Sequence, residues 1–146
     1  MWHRSIHAWE SPQFPGRPMD LVVHGHAGAR VLVFPTSMGR FHEWEDRGMC
    51  DAVGDQLASG QLQLICVASV DELSWYDDAA HPHHRAEWHA RYDAYLRDEV
   101  LPFTLESNPN PFLITAGASF GAYHALAFGC RYPQLVGRVL AMSGLV

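Results

Sequence analysis

The chain has 146 residues, of which 48% are apolar and 18% charged, with a formal charge of −6. That is the length of one domain able to bury roughly 70% of its unfolded surface, and the composition excludes a disordered chain, a coiled coil and a collagen-like fibre. No apolar run approaches the ~18 residues of a membrane span, and ten basic against sixteen acidic residues give no cationic face for nucleic acid.

The chain opens with a predicted strand from Ser5 to Trp9. Pro12, Pro15 and Pro18 then mark a turn or edge crossing rather than a central strand. Met19 to His24 reads as a second strand, and His24-Gly25-His26-Ala27-Gly28-Ala29 has hairpin-loop chemistry before a third, Arg30 to Phe34. This opening is expected to be antiparallel.

Beyond Pro35 the small polar loop Thr36-Ser37-Met38-Gly39 precedes a helix predicted over Glu43 to Ser59. Met49, Val53 and Leu57 recur on one buried face, and Gly60 closes the helix. Leu62 to Val70 follows as a strand whose run Leu64 to Ala68 is apolar without alternation, as suits a parallel strand covered on both faces. A loop from Asp71 to Pro82 leads to a long helix predicted from His83 to Leu101, with Trp88, Tyr92 and Tyr95 or Leu96 turned inward and Pro102 near its end. Phe112 to Ala116 is a short strand, Phe120 to Arg131 a helix stopped by Tyr132-Pro133, and Arg138 to Met142 a further strand. The expected fold is α/β: an antiparallel N-terminal meander, then a mostly parallel sheet with helices on both faces, in one domain over residues 1–146.

All ten basic residues are arginine; no fold requires this, and it reads as coding bias. Cys50, Cys66 and Cys130 are odd in number, widely spaced and without a C-x-x-C pattern, so they read as buried reduced thiols. No apolar stretch follows Met1, so no secretory signal is expected and the cytoplasm is the expected location.

Gly117-Ala118-Ser119-Phe120-Gly121 falls between a predicted strand and a predicted helix. G-x-S-x-G is a weak pattern by itself, and its position makes it specific. A nucleophile elbow needs a sharp turn that lifts a serine hydroxyl above the carboxyl end of a sheet. Flanking glycines allow the strained backbone, and the next helix aims its amides and positive dipole end at the same point.

Ile114-Thr115-Ala116-Gly117-Ala118-Ser119-Phe120-Gly121-Ala122-Tyr123, followed by Ala125-Leu126 and Tyr132-Pro133, resembles the α/β-hydrolase superfamily. Within it the chain is similar to the putative-esterase group, with its S-formylglutathione hydrolase-like enzymes, feruloyl esterases and mycolyltransferases. Ser74-Trp75-Tyr76 resembles an aromatic-rich loop near the site of related esterases. The resemblance implies that Ser119 is a nucleophile, attacking an ester carbonyl to form an acyl-enzyme that water hydrolyses.

The resemblance also implies two oxyanion donors: the backbone N–H of Phe120 and one from the loop after the third strand. In Pro35-Thr36-Ser37-Met38-Gly39 the expected donor is Ser37, with Met38 one register away. The chain departs here from the His-Gly-Gly or Asp-Gly sequence common among relatives.

In this superfamily an Asp or Glu and then a His follow the nucleophile. Phe120 to Val146 contain no Asp or Glu, and their single histidine, His124, lies on the elbow's own helix. A residue there is expected to pack against the sheet or neighbouring loops. The acid and the His are therefore expected beyond residue 146, making the chain the N-terminal portion of the domain. The open sheet edge at Val146 is expected to pair with another copy or a partner chain that supplies the missing strands.

His81, His83 and His84 beside Asp77 and Asp78 match no metal-ligand spacing, so no metal is expected. His24 and His26 read as surface residues of the hairpin loop, while His42 stands where it could line the site. Trp44, Trp75, Tyr76 and Phe120 are candidate aromatics for an ester pocket. No cofactor is implied, and a small-molecule ester is the expected ligand. The alternative is a non-catalytic hydrolase-like module used for binding or assembly. A nucleotide-binding fold is disfavoured, because Thr36-Ser37-Met38-Gly39 lacks G-x-G-x-x-G.

Overall fold

In the computed structural model, which describes residues 1–144, six strands form one sheet. They are β1 (Arg4–His7), β2 (Leu21–His24), β3 (Ala29–Phe34), β4 (Leu62–Cys66), β5 (Leu113–Ala118) and β6 (Arg138–Met142), ordered β1-β2-β4-β3-β5-β6. Strands β3 to β6 are parallel, whereas β1 pairs antiparallel with β2 and β2 with β4. This is the expected α/β fold, antiparallel at its start and then parallel. Leu145 and Val146, the end of the predicted domain and the site of its expected open edge, lie outside the described residues.

The hairpin expected between His24 and Ala29 does not form, because β4 lies between β2 and β3. The glycines of that loop meet the start of β4 and the turn that leads into it instead. A Cβ on Gly28, at φ +92°, would stand 2.3 Å from the Gln61 carbonyl oxygen.

The helix predicted over Glu43 to Ser59 is three short pieces: α1 (Glu43–Asp46), α2 (Met49–Ala52) and α3 (Gly54–Ala58). Gly48 takes the left-handed conformation (φ +76°) and Val53 leaves helical geometry (φ −112°, ψ 20°), which breaks the ladder twice. The predicted buried face survives. Leu57 is fully buried, and Met49 and Val53 pack against the core on that side.

Helix α4 (Pro82–Tyr95) runs through a π turn (Leu96–Val100) into α5 (Leu101–Ser107), so the helix continues past Pro102 rather than ending near it. Proline has no N–H for the preceding turn and crowds its carbonyl; the wider π turn just ahead absorbs that misfit. Helix α6 (Phe120–Arg131) and strand β6 have the predicted bounds.

Alternate residues of β3 face opposite layers. Leu32 and Phe34 join Tyr92, Tyr95, Leu96 and Phe128 under α4 and α6. Val31 and Val33 join Leu64, Cys66, Trp44 and Leu57 under α1 to α3. Each such fully buried side chain contributes about 1.5–3 kcal/mol, so helices are held on both faces.

Three expectations change here. Cys50 and Cys66 are buried but Cys130 is exposed, because it falls off the face of α6 that buries Ala125 and Phe128. His24 is not a surface residue: on an inner strand it is buried, accepting from the Trp2 indole at 2.8 Å and bonded to Glu45 at 2.8 Å. Trp44 belongs to the core under α1 rather than to a pocket.

Candidate active site

Strands β3 and β5 run parallel in direct register, Phe34 opposite Gly117, so the loops that leave them emerge side by side. The loop after β5 is very tight. A Cβ on Gly117 would stand 2.2 Å from the Gly121 carbonyl oxygen, and one on Gly121 would stand 2.5 Å from that of Pro35. Both glycines of the G-x-S-x-G segment are thus required by backbone meeting backbone.

Between them Ser119 adopts φ 57°, ψ −122°, a conformation that side chains rarely take. Its amide donates to the Met142 carbonyl at 2.9 Å, so the end of β6 holds the turn. Ser119 is exposed and caps no amide of α6 with its side chain. Phe120 is the first residue of α6, where an amide has no acceptor within its own helix. Among the described residues nothing else takes its proton.

The loop after β3 is tied down residue by residue. The Thr36 amide donates to Glu43 at 2.8 Å and its hydroxyl also bonds that carboxyl group. The Gly39 amide donates to the Thr36 carbonyl at 2.9 Å, and the Met38 amide to Asp71 Oδ2 at 2.8 Å. Among the described residues no acceptor takes the Ser37 amide proton. The Ser37 hydroxyl meets Tyr76 Oη at 2.9 Å.

Asp71 is 1% exposed, and its second oxygen bonds His124 Nε2 at 2.9 Å. His124 is held under the elbow, stacked on Phe34 and edge-on to Phe120 at 4.8 Å. Among the described residues no hydrogen bond joins Ser119 to an imidazole. Sequence reasoning missed Asp71, the Tyr76 tie to Ser37 and the partner of His124. No spacing signals them, since the bonds cross 33, 39 and 53 positions.

Trp75 and Tyr76 cover Phe120 from the loop after β4, with ring centroids 6.4 Å and 5.3 Å away. Three of the four candidate aromatics therefore cluster at the elbow. Two recesses open beside the neighbouring loops. One of about 540 Å³ runs along Met38, Gly39, Arg40 and Phe41; the other, about 220 Å³, lies between Trp75, Arg85 and His89.

His89 is buried, and burial, with Asp93 opposing and His124 and Arg131 reinforcing, pushes its imidazole down to about 4. Arg131 donates to Nε2 at 2.9 Å, which places the proton of the neutral ring on Nδ1, a buried atom without a partner.

His42, the residue before α1, bonds Asp46 at 2.7 Å, and His26 is exposed. His81 caps α4 by accepting the His83 amide at 3.1 Å. No group of three His, Cys, Asp or Glu side chains gathers as a metal site among the described residues. Among the same residues no helix is long and apolar enough to cross a membrane.

Residues 26–146 match the family described as Putative esterase. No curated protein matches. Among solved structures the chain is similar to a ferulic acid esterase, at TM-score 0.75 and 17% identity over 99% of this chain and 61% of that one. It is also similar to an S-formylglutathione hydrolase from Agrobacterium tumefaciens, at TM-score 0.72 and 14% identity over 99% and 59%. A third is the fluorophosphonate-binding serine hydrolase F of Staphylococcus aureus, at TM-score 0.61 and 13% identity over 98% and 57%. The chain spans about three fifths of the length of each, and these likenesses establish the fold.

Proposed function

The chain belongs to the Putative esterase family, and on that premise we propose that it carries the nucleophile and oxyanion hole of a serine hydrolase acting on carboxylic esters. The observation that carries this reading is the strained backbone of exposed Ser119, between two glycines that admit no side chain.

Ser119 Oγ attacks the ester carbonyl and its proton passes to a histidine. The oxyanion is held by the amides of Phe120 and Ser37, neither of which has an acceptor among the described residues. The alcohol leaves with that proton, and water then hydrolyses the acyl-enzyme. The acid and the histidine of the triad are assigned to chain outside residues 1–146. Beyond Ser119 the sequence offers only His124, and that ring is committed to Asp71. Outer strand β6 exposes Val139 and Leu140, an edge that further strands of the same chain or of a partner would cover. With three free cysteines, the proposed location is the cytoplasm.

Fluorophosphonate labelling read by mass spectrometry tests the assignment. In the protein with its triad complete, the adduct is expected on Ser119 and lost in Ser119→Ala. Residues 1–146 alone are expected to turn over p-nitrophenyl esters little or not at all, since losing triad members costs several orders of magnitude. An adduct that survives Ser119→Ala overturns the reading. Absence of labelling in the protein with its triad complete favours a binding or assembly module.

A further inference from the structure

We propose that Asp71 is the positioning residue of the oxyanion hole: by engaging the Met38 amide it leaves the neighbouring Ser37 amide as the donor offered to substrate. This rests on the serine-hydrolase reading above.

Four consecutive amides follow Pro35, and three are engaged inside the protein: Thr36 by Glu43, Met38 by Asp71 and Gly39 by the Thr36 carbonyl. The fourth, Ser37, has no acceptor among the described residues. The choice of donor is therefore made by the acceptors around the loop, and Asp71 supplies the one that distinguishes Met38 from Ser37. Met38 sits at φ +53° with its side chain 57% exposed. A non-glycine residue persists there only when its surroundings hold it; with the side chain exposed, the Met38–Asp71 bond and the Gly39–Thr36 bond that closes the turn around Met38 supply that restraint.

The same carboxyl group reaches the other half of the hole. Its Oδ1 bonds His124, whose ring meets Phe120, bearer of the second donor, at 4.8 Å. The Asp71 carbonyl accepts the Tyr76 amide at 2.7 Å, and Tyr76 returns to the Ser37 hydroxyl at 2.9 Å. One buried side chain thus fixes the loop after β3 against the first turns of α6. Fixing donors before charge develops is how an oxyanion hole lowers a barrier. Asp71 itself is 1% exposed, so it acts through Met38 and His124 rather than on the ester.

The test uses the protein with its triad complete, p-nitrophenyl acetate as substrate, and fluorophosphonate titration to count functional sites. Asp71→Ala is expected to lower kcat per titrated site about 100-fold, the order of losing one oxyanion donor, with KM within about threefold. Asp71→Asn, whose carboxamide oxygen can still accept the Met38 N–H, is expected to recover kcat to within about tenfold of wild type. A purely structural role would lower the number of titrated sites and leave kcat per site unchanged, which overturns the proposal.

Amide exchange by NMR gives a readout independent of turnover. The Met38 amide should be protected in wild type and in Asp71→Asn and exchange at least about tenfold faster in Asp71→Ala. Should Asp71→Ala not fold, Asp71→Asn decides alone: a collapse of kcat with Met38 still protected overturns the proposal. Ser119→Ala separates the two ideas. If it leaves turnover intact the serine-hydrolase reading fails, whereas unchanged Met38 exchange on removing Asp71 refutes the positioning role alone.

Discussion

Gly121 and Pro35 meet backbone to backbone: a Cβ on Gly121 would stand 2.5 Å from the Pro35 carbonyl oxygen and 2.6 Å from that of Phe34. The helix after the Ser119 turn and the loop after β3 are pressed together through that one missing side chain. Gly121→Ala must therefore push the loop bearing Ser37 away from Phe120. Overpacking of this kind costs about 1–3 kcal/mol, read as a lower urea midpoint at unchanged m-value. Because the displaced parts are the proposed oxyanion donors, esterase activity of the protein with its triad complete should fall by more than the lost stability explains. A variant with wild-type stability and activity would show that the loop and helix are free to separate.

Ser119 pays for its exposure in backbone strain. At φ 57°, ψ −122° a side chain costs on the order of 1–3 kcal/mol that glycine avoids. Ser119→Gly is expected to remove the hydroxyl and still raise stability by about 1 kcal/mol, the net of relieved strain and a more flexible unfolded chain. In a domain of this size that is a rise of roughly 2–4 °C in Tm. A fall in Tm would mean that the turn is not strained, and would weaken the case that it is kept for the hydroxyl.

The legible parts of this fold are those fixed by local chemistry. Phe120 to Arg131 and Arg138 to Met142 keep their predicted bounds. The first is set between a glycine-flanked turn and Tyr132-Pro133, and the second by an apolar run after the following loop. Strand neighbours were not legible: His24 to Ala29 has every mark of a hairpin, yet β4 enters between its arms. Nothing in a turn's residues records which strand will pair across it. Hydrophobic period is equally blind to backbone breaks, so Met49, Val53 and Leu57 report one face through three separate helical pieces. At the site, Ser119 announces itself by its flanking glycines. Asp71 carries no such mark, because its meaning lies in Met38 and His124, 33 and 53 positions away.

His89 gives the protein an acid sensitivity whose sign follows from its surroundings. Burial beside Trp75 and His124 disfavours the imidazolium strongly enough to outweigh the attraction of Asp93, and His124 and Arg131 add smaller repulsions, so the group falls from 6.5 to about 4. Between those values the unfolded chain binds the proton more readily than the folded one. Stability from this residue is therefore full above pH 6.5 and is lost as pH falls toward 4. A displacement of that size corresponds to on the order of 3 kcal/mol. Urea unfolding at pH 7.5 and 4.5 should show wild type losing more stability than His89→Gln, whose side chain does not titrate and can still accept from Arg131. Glu45, held below the usual carboxylate range by its hydrogen bond to Arg4, weakens both proteins alike on acidification and cancels in the comparison. Equal losses in the two proteins would mean that His89 takes up its proton without cost in the folded state, and the neutral ring facing Arg131 would have to be abandoned.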